Sequence, residues 1–155
     1  MKRQLRSFKN AFKGIAAAFV TESHMRFHFV AAFFVLLFAY ICEVSAPEWA
    51  ILILTIGSVF AAELINTAIE ETCDLYSTQQ NPHIGKIKDI AAGAVLVASI
   101  AAVGVALFVF VITGNLIYGF ERLMRHPLYF ILLGICAVCS VLFVVFGGFK
   151  STKNK

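Results

Sequence analysis

The sequence has few charged residues and lacks the phosphate-binding loops of common nucleotide enzymes. Asp, Glu, Lys and Arg together make up 14% of its 155 residues, whereas a water-soluble domain has about 25%. This shortage argues against a soluble domain and indicates a protein of the lipid bilayer. Neither a GxxxxGK[ST] motif nor the glycine-rich loop of protein kinases is present, so any phosphate group must be held in another way.

Three further classes of protein are disfavoured by what is missing. The basic residues flank apolar runs instead of forming a stripe with aromatic residues, which disfavours a nucleic-acid partner despite a net charge of +4. All four cysteines lie in or at the ends of apolar segments, which disfavours the disulfide framework of a secreted protein. The apolar run after the basic N-terminus, IAAAFV, is too short for the core of a signal peptide.

The apolar residues are arranged in four long segments. Hydrophobic residues make up 60% of the chain, and the segments cover about residues 26–42, 49–73, 90–120 and 128–149. The first two reach the roughly 20 residues of a membrane span only by including polar residues at one end. Ahead of them, apolar residues recur every three or four positions from Leu5 to Phe19, with Lys and Arg on the other side, which predicts a basic amphipathic helix at the membrane surface. We therefore predict an all-α integral membrane protein with this surface helix and four transmembrane helices.

The distribution of Lys and Arg predicts the orientation of these spans. Basic residues concentrate on the cytoplasmic side of membrane proteins, and the loop 43–48 contains none. With the N-terminus inside, Arg122 and Arg125 alone lie outside, and the other eleven are cytoplasmic. We therefore expect a multi-pass protein of the plasma membrane with both termini in the cytoplasm. The cytoplasmic basic residues are Lys2, Arg3, Arg6, Lys9, Lys13, Arg26, Lys86, Lys88, Lys150, Lys153 and Lys155.

The second span ends in an unusual column of acids, in the stretch AELINTAIEETCD at 62–74. Glu63 follows Trp49 by 14 residues, which places it about 21 Å along the helix and still within the hydrocarbon. Glu70 and Asp74 point within roughly 40° of Glu63, with Asn66 about 60° away. Ionisable residues inside spans are costly and usually functional, although Glu63 and Asn66 could also simply hydrogen-bond neighbouring helices.

Two other helix ends bring polar residues to the same membrane face. Glu22 lies where the surface helix meets the first span, and Lys88 and Asp89 lie where the third span begins. Clustered carboxylates with a lysine suit Mg²⁺ and a nucleotide. Glu63 lies deeper and could accept a proton from the hydroxyl of a lipid. The pattern therefore favours phosphoryl transfer from a soluble donor to a lipid alcohol.

Three stretches, TESHMRFH, ELINTAIEETCD and KIKDIAAGAVL, closely resemble the prokaryotic diacylglycerol kinase family. The resemblance covers about residues 8–112 and is nearest to the undecaprenol kinases of Gram-positive bacteria. It implies a homotrimer that uses ATP and Mg²⁺ at sites shared between protomers. We therefore expect a surface helix at 1–24 and a three-span lipid kinase core at 25–120. The chain departs from the family by continuing beyond the usual three spans, with an extra span and a basic cytoplasmic tail at 121–155.

The resemblance also implies a role for each matching residue. Glu63 looks like the catalytic base, while Glu22 and Glu70 look like ligands of the ATP-bound metal. His28 stands where enterobacterial members have a second glutamate near the lipid, which favours undecaprenol as the substrate and places His28, with Glu63 and Asn66, beside it. The positions that match nucleotide contacts are Lys13, Glu22, Asn66, Glu70, Asp74, Lys88 and Asp89.

Three alternatives remain open at the level of sequence. Within the kinases, diacylglycerol is the second candidate substrate, because its hydroxyl also lies at the interface. Four spans with one deep carboxylate would also suit a small ion-coupled or proton-coupled transporter, although Glu22, Lys88 and Asp89 would then have no task. A non-catalytic membrane subunit is the third alternative.

Overall fold

The computed structural model describes residues 2–76, 81–126 and 128–146, and these residues are almost entirely helical, with no strand among them. The prediction of an all-α protein is therefore confirmed. Its elements, in chain order, are α1 (Lys2–Thr21), α2 (Ser23–Cys42), α3 (Ala46–Tyr76), α4 (Pro82–Leu107), a π-helix (Phe108–Ile112), α5 (Asn115–Arg125) and α6 (Leu128–Phe146).

Four of these helices are long and apolar enough to cross a membrane: α2, α3, α6, and α4 together with the π-helix. Four membrane spans were predicted, and four are present in the described part of the chain. The pair of α3 and α4 has the most extensive contacts, and α2 packs against α3. The predicted basic tail lies beyond residue 146, outside the described residues.

The third span begins earlier and ends earlier than the apolar run 90–120 predicted. It begins at Pro82, after the side chain of Asn81 accepts a hydrogen bond from the backbone N–H of His83 at 2.9 Å. An Asn cap followed by proline is a common helix start. The uncharged run therefore marked the apolar part of the helix and missed its polar first turns.

At the other end, the chain leaves the third span at Gly114, so the prediction of one span reaching residue 120 was wrong. Gly114 has a φ of 79°, a left-handed conformation that glycine adopts without strain. The next side chain, Asn115, donates hydrogen bonds to the carbonyl oxygen of Val109 at 2.8 Å and to Glu48 at 2.9 Å. These bonds fix the turn against α3, and residues 115–125 form the separate helix α5.

Helix α5 covers the end of α2 that lies away from Glu22. Arg122 forms an ion pair with Glu43 and donates a hydrogen bond to the carbonyl oxygen of Ile41 at 3.5 Å. Gly119 lies directly against Cys42, and a β-carbon at this position would overlap the Sγ atom of Cys42. The close approach of the two helices therefore requires glycine here.

A buried arginine joins α1 to α2. The side chain of Arg26 is only 5% exposed, and its Nη1 donates hydrogen bonds to the carbonyl oxygens of Phe19 and Val20, at 3.0 Å each. The last carbonyls of a helix have no partner within the helix and form its negative end, which favours a cation there. Arg26 therefore fixes the last turn of α1 onto α2.

Helix α6 is the most peripheral span. None of its residues from Leu128 to Val145 is buried, and it meets α2 through aromatic contacts such as that between Phe143 and Phe29, whose ring centroids are 6.3 Å apart. It adds apolar surface to the bundle.

Candidate active site

Glu63 is the buried acid of the described chain. Its side chain is 3% exposed, and Arg26 is the other charged residue that is buried in the described part of the protein. Four titratable side chains lie within electrostatic reach of Glu63: His24 and His28 from α2, Glu22 from the start of α2, and Glu70 from α3 itself. The structure therefore places a buried carboxylate within electrostatic reach of two imidazoles and two further carboxylates. Glu63 lies about 10 Å, or two helical turns, below Glu70 along α3.

Asn66 and Glu70 form a pair one turn apart on α3. The side-chain amide of Asn66 donates a hydrogen bond to Glu70 at 2.9 Å, as side chains four residues apart on one helix face can do. The amide oxygen of Asn66 is buried and has no hydrogen-bond partner within the described residues. Since buried polar atoms are almost always paired, this oxygen is open to a donor from a bound molecule or water.

At the surface end of the column, Asp74 and Lys88 join α3 to α4. The Nζ atom of Lys88 lies 2.6 Å from a carboxylate oxygen of Asp74, with the side chains 33% and 68% exposed. An exposed ion pair contributes only about 0–1 kcal/mol to stability. Its main effect is to hold the Lys88 ammonium near the site, next to the exposed carboxylate of Asp89.

Glu22 lies at the junction of α1 and α2. It is the N-cap residue of α2, with φ −98° and ψ 120°, but its side chain makes no capping hydrogen bond. Glu22 is half-buried, and its carboxylate lies within electrostatic reach of Glu63. Lys13 is exposed on α1, and its predicted contact with the nucleotide stays a prediction.

The residues at the site fit a metal ion that arrives with a nucleotide better than a permanently bound one. Across residues 2–76, 81–126 and 128–146, no three His, Cys, Asp or Glu side chains converge to hold a metal by themselves. Mg²⁺ in nucleotide sites needs only one or two carboxylates, and phosphate oxygens and water complete its shell. Glu22 and Glu70, both neighbours of Glu63, can supply those two.

An apolar groove opens between α2, α3 and α4. Its volume is about 310 Å³, and His28 and Ser99 are the polar side chains among the apolar residues that line it. The sequence interpretation placed His28 near the lipid and overlooked Ser99. Ser99 is 11 residues from Lys88, as Glu63 is from Asp74, but this match identifies Ser99 only once the structure has paired Lys88 with Asp74.

Comparison with known proteins identifies relatives of this chain. The family model for prokaryotic diacylglycerol kinase matches residues 9–110. An undecaprenol kinase of Bacillus subtilis (strain 168) is 40% identical over 110 residues, which cover 71% of this chain and 89% of the relative. A diacylglycerol kinase of Synechocystis sp. is 42% identical over 98 residues, which cover 63% of this chain and 56% of the relative. A diacylglycerol kinase of Escherichia coli (strain K12) is 32% identical over 93 residues, which cover 60% of this chain and 76% of the relative. No solved structure matches the chain.

Proposed function

Because the chain belongs to the prokaryotic diacylglycerol kinase family and is a lipid kinase, we propose that it transfers the γ-phosphoryl group of ATP to the hydroxyl of undecaprenol. The product is undecaprenyl phosphate. The observation that carries the proposal is the buried carboxylate of Glu63, inside a membrane-spanning helix whose surface end carries further acids. The choice of undecaprenol is supported by the undecaprenol kinase that the chain matches over 89% of that relative's length.

We propose that the nucleotide lies at the surface end of α3 and α4. Glu22 and Glu70 hold the metal, Lys88 binds phosphate oxygens, and Asp74 holds Lys88 in position through their 2.6 Å contact. Asn66 orients Glu70 through their hydrogen bond and offers its open amide oxygen to the ligand, while Lys13 and Asp89 complete the polar surroundings. When bound, Mg²⁺ neutralises the charge on the phosphates during transfer.

In this proposal Glu63 is the general base. The lipid hydroxyl reaches the site from the bilayer and gives its proton to the carboxylate of Glu63 as its oxygen forms a bond to the γ-phosphorus. The bond from that phosphorus to the bridging oxygen breaks, and ADP leaves. A positioned general base accelerates such a reaction by about 10²–10⁴-fold. Burial keeps water away from Glu63, which reduces competing hydrolysis of ATP.

The proposal includes the orientation and the assembly implied by the family resemblance. The Lys and Arg distribution supports cytoplasmic termini in the plasma membrane, which places the nucleotide on the side where ATP is found. In the most apolar part of each span, only 17% of the residues of α3 and 11% of the residues of α4 with the π-helix are buried in the single protomer. These spans therefore retain apolar surface for neighbouring helices, which is compatible with a homotrimer whose sites are shared. The family relationship leaves the transporter hypothesis without support.

Diacylglycerol is the second candidate substrate, because diacylglycerol kinases of two organisms are 42% and 32% identical to the chain. The experiment uses purified protein in mixed micelles with Mg²⁺ and γ-labelled ATP, offering undecaprenol and diacylglycerol separately. Glu63→Gln is the test variant, and Glu71→Gln, at an exposed position on the same helix, is the matched control.

We expect label in undecaprenol with the wild-type protein and with Glu71→Gln, and at least a 100-fold loss with Glu63→Gln. Label in diacylglycerol alone would replace undecaprenol with the second candidate. Near-normal turnover by Glu63→Gln would refute its role as base. If neither lipid is labelled by correctly folded protein, the acceptor is another lipid alcohol and the proposed substrate is wrong.

A further inference from the structure

We propose that the groove between α2, α3 and α4 holds the part of the lipid hydrocarbon chain nearest its hydroxyl, and that Ser99 binds this hydroxyl by a hydrogen bond. The inference rests on the proposed function, because it describes how the acceptor lipid is held at the same site. It concerns the chemistry that undecaprenol and diacylglycerol share, an alcohol attached to a long apolar chain.

The register of α3 and α4 places Ser99 at the depth of Glu63. The contact of 2.6 Å between Lys88 and Asp74 fixes one level of this antiparallel pair. Glu63 is 11 residues before Asp74, and Ser99 is 11 residues after Lys88. At 1.5 Å per residue both lie about 16 Å from the ion pair along their helices. Ser99 and Glu63 therefore lie at the same level on neighbouring helices.

The groove begins at this level and extends away from the nucleotide end. His28 and Ser99 line it at one end, and Val35 and Ala106, each seven residues further along, line it at the other. This distance is about 10 Å on both helices. Val59, which also lines the groove, is one turn from Glu63 and on the same face of α3. A chain lying in the groove thus has its end next to Glu63.

The hydroxyl of Ser99 is buried and unpaired. Serine in an apolar helix usually bonds to the carbonyl one turn earlier, and Ser58 does so with Leu54 at 2.9 Å. The Oγ atom of Ser99 has no such bond, nor any other within the part of the chain that the structure describes. An unpaired buried hydroxyl is costly unless a ligand completes it. A donor at this depth can bind the lipid oxygen and leave the lipid's own hydroxyl proton directed at Glu63.

The other lining residues define the class of ligand. Apart from His28 and Ser99 they are apolar, and several are alanines, which leave space between the helices. Among the described residues that line the groove there is no carboxylate, lysine or arginine that would attract an ion or a charged headgroup. Its chemistry suits a hydrocarbon chain with one polar end.

The test fills the groove and separately removes the hydroxyl. Ala102→Phe occupies the groove, Ser99→Ala deletes the proposed donor, and Ser99→Thr keeps it. Ile100→Phe is the matched control, because Ile100 is 62% exposed and absent from the groove lining. Two measurements are made on each: the KM and kcat for undecaprenol, diacylglycerol and ATP, and the equilibrium binding of a fluorescent polyprenol in mixed micelles without ATP.

We expect Ala102→Phe to weaken polyprenol binding by at least tenfold, with the KM for ATP unchanged and Ile100→Phe close to wild type. We expect Ser99→Ala to lower kcat/KM for the lipid by about 3- to 10-fold, the contribution of one hydrogen bond, and Ser99→Thr to restore it. Normal polyprenol binding by Ala102→Phe would refute the groove, even if the kinase activity is intact. The wild-type protein could bind the polyprenol but phosphorylate neither lipid. If Ala102→Phe then abolishes this binding, the result would support the groove and refute the proposed function. Unchanged lipid kinetics in Ser99→Ala would remove Ser99 from the site.

Discussion

Replacing Arg26 with methionine should release the last turn of α1 from α2. Methionine keeps a long apolar side chain at this buried position but removes both hydrogen bonds from Nη1, to Phe19 and Val20. A hydrogen bond from a charged donor contributes about 1.5–3 kcal/mol. The two bonds share one nitrogen, and the substitution also removes the buried Nε of Arg26, which has no partner in the described structure. We therefore expect a net loss of about 2–4 kcal/mol at this corner.

Hydrogen exchange can measure this loss directly, because local opening sets the exchange rate of the amides in that segment. For the protein in lipid nanodiscs, a loss of this size corresponds to roughly a 30- to 700-fold decrease in protection at the end of α1, in residues 15–22. Arg6→Met is the control, since Arg6 is exposed on the same helix. Because Glu22 follows α1 directly, we also expect the KM for ATP to rise in Arg26→Met. Unchanged protection, or an equal change in Arg6→Met, would refute the argument.

Two further substitutions test other parts of the structure. Gly119→Ala should destabilise the packing of α5 on α2 by about 1–3 kcal/mol, because its β-carbon would overlap Cys42. Adding Cys42→Ala should restore the thermal stability. Gly134→Ala is the control and should not destabilise the protein, because a β-carbon there meets nothing within 4 Å. If the double variant is no more stable than Gly119→Ala, the overlap is not the cause. Glu70→Gln should raise the KM for Mg-ATP by at least about tenfold, since even outer-shell changes at metal sites have effects of that size, while Glu71→Gln should not. An unchanged KM in Glu70→Gln would exclude Glu70 as a metal ligand.

The sequence predicted the features that depend on composition and on helical periodicity. Long uncharged runs identified the spans, and the spacing of Glu63, Glu70 and Asp74 predicted a column of acids on one face of a helix. The structure buries Glu63 and leaves Glu71 exposed, as that spacing requires. Glycine at position 114 could have indicated the end of the third span, but the short polar stretch Thr113–Asn115 lies within a longer uncharged run, and the turn depends on contacts made by Asn115.

Features that depend on the packing of distant segments could not be predicted in the same way. Arg26 was counted only as a charge that sets membrane orientation, because nothing in its local sequence shows that the end of α1 returns to cover it. Ser99 appears in the sequence as one serine in an apolar run. Its position at the depth of Glu63 follows from the register of α3 and α4, which the pairing of Lys88 with Asp74 establishes only in the folded protein.

The bond between Arg26 and α1 has a consequence for how the bilayer acts on the enzyme. The apolar side chains of Leu5, Phe8 and Phe12 are at least 66% exposed, and with α1 in the interface, as the sequence predicts, they insert among the lipid acyl chains. The depth of α1 then depends on lateral pressure and membrane curvature. Because Arg26 holds the end of α1 to α2, a change in that depth applies a force to the corner that carries Glu22. We therefore expect the mechanical state of the lipid surface to affect the geometry of the proposed active site, and the turnover rate in vesicles to vary with their radius.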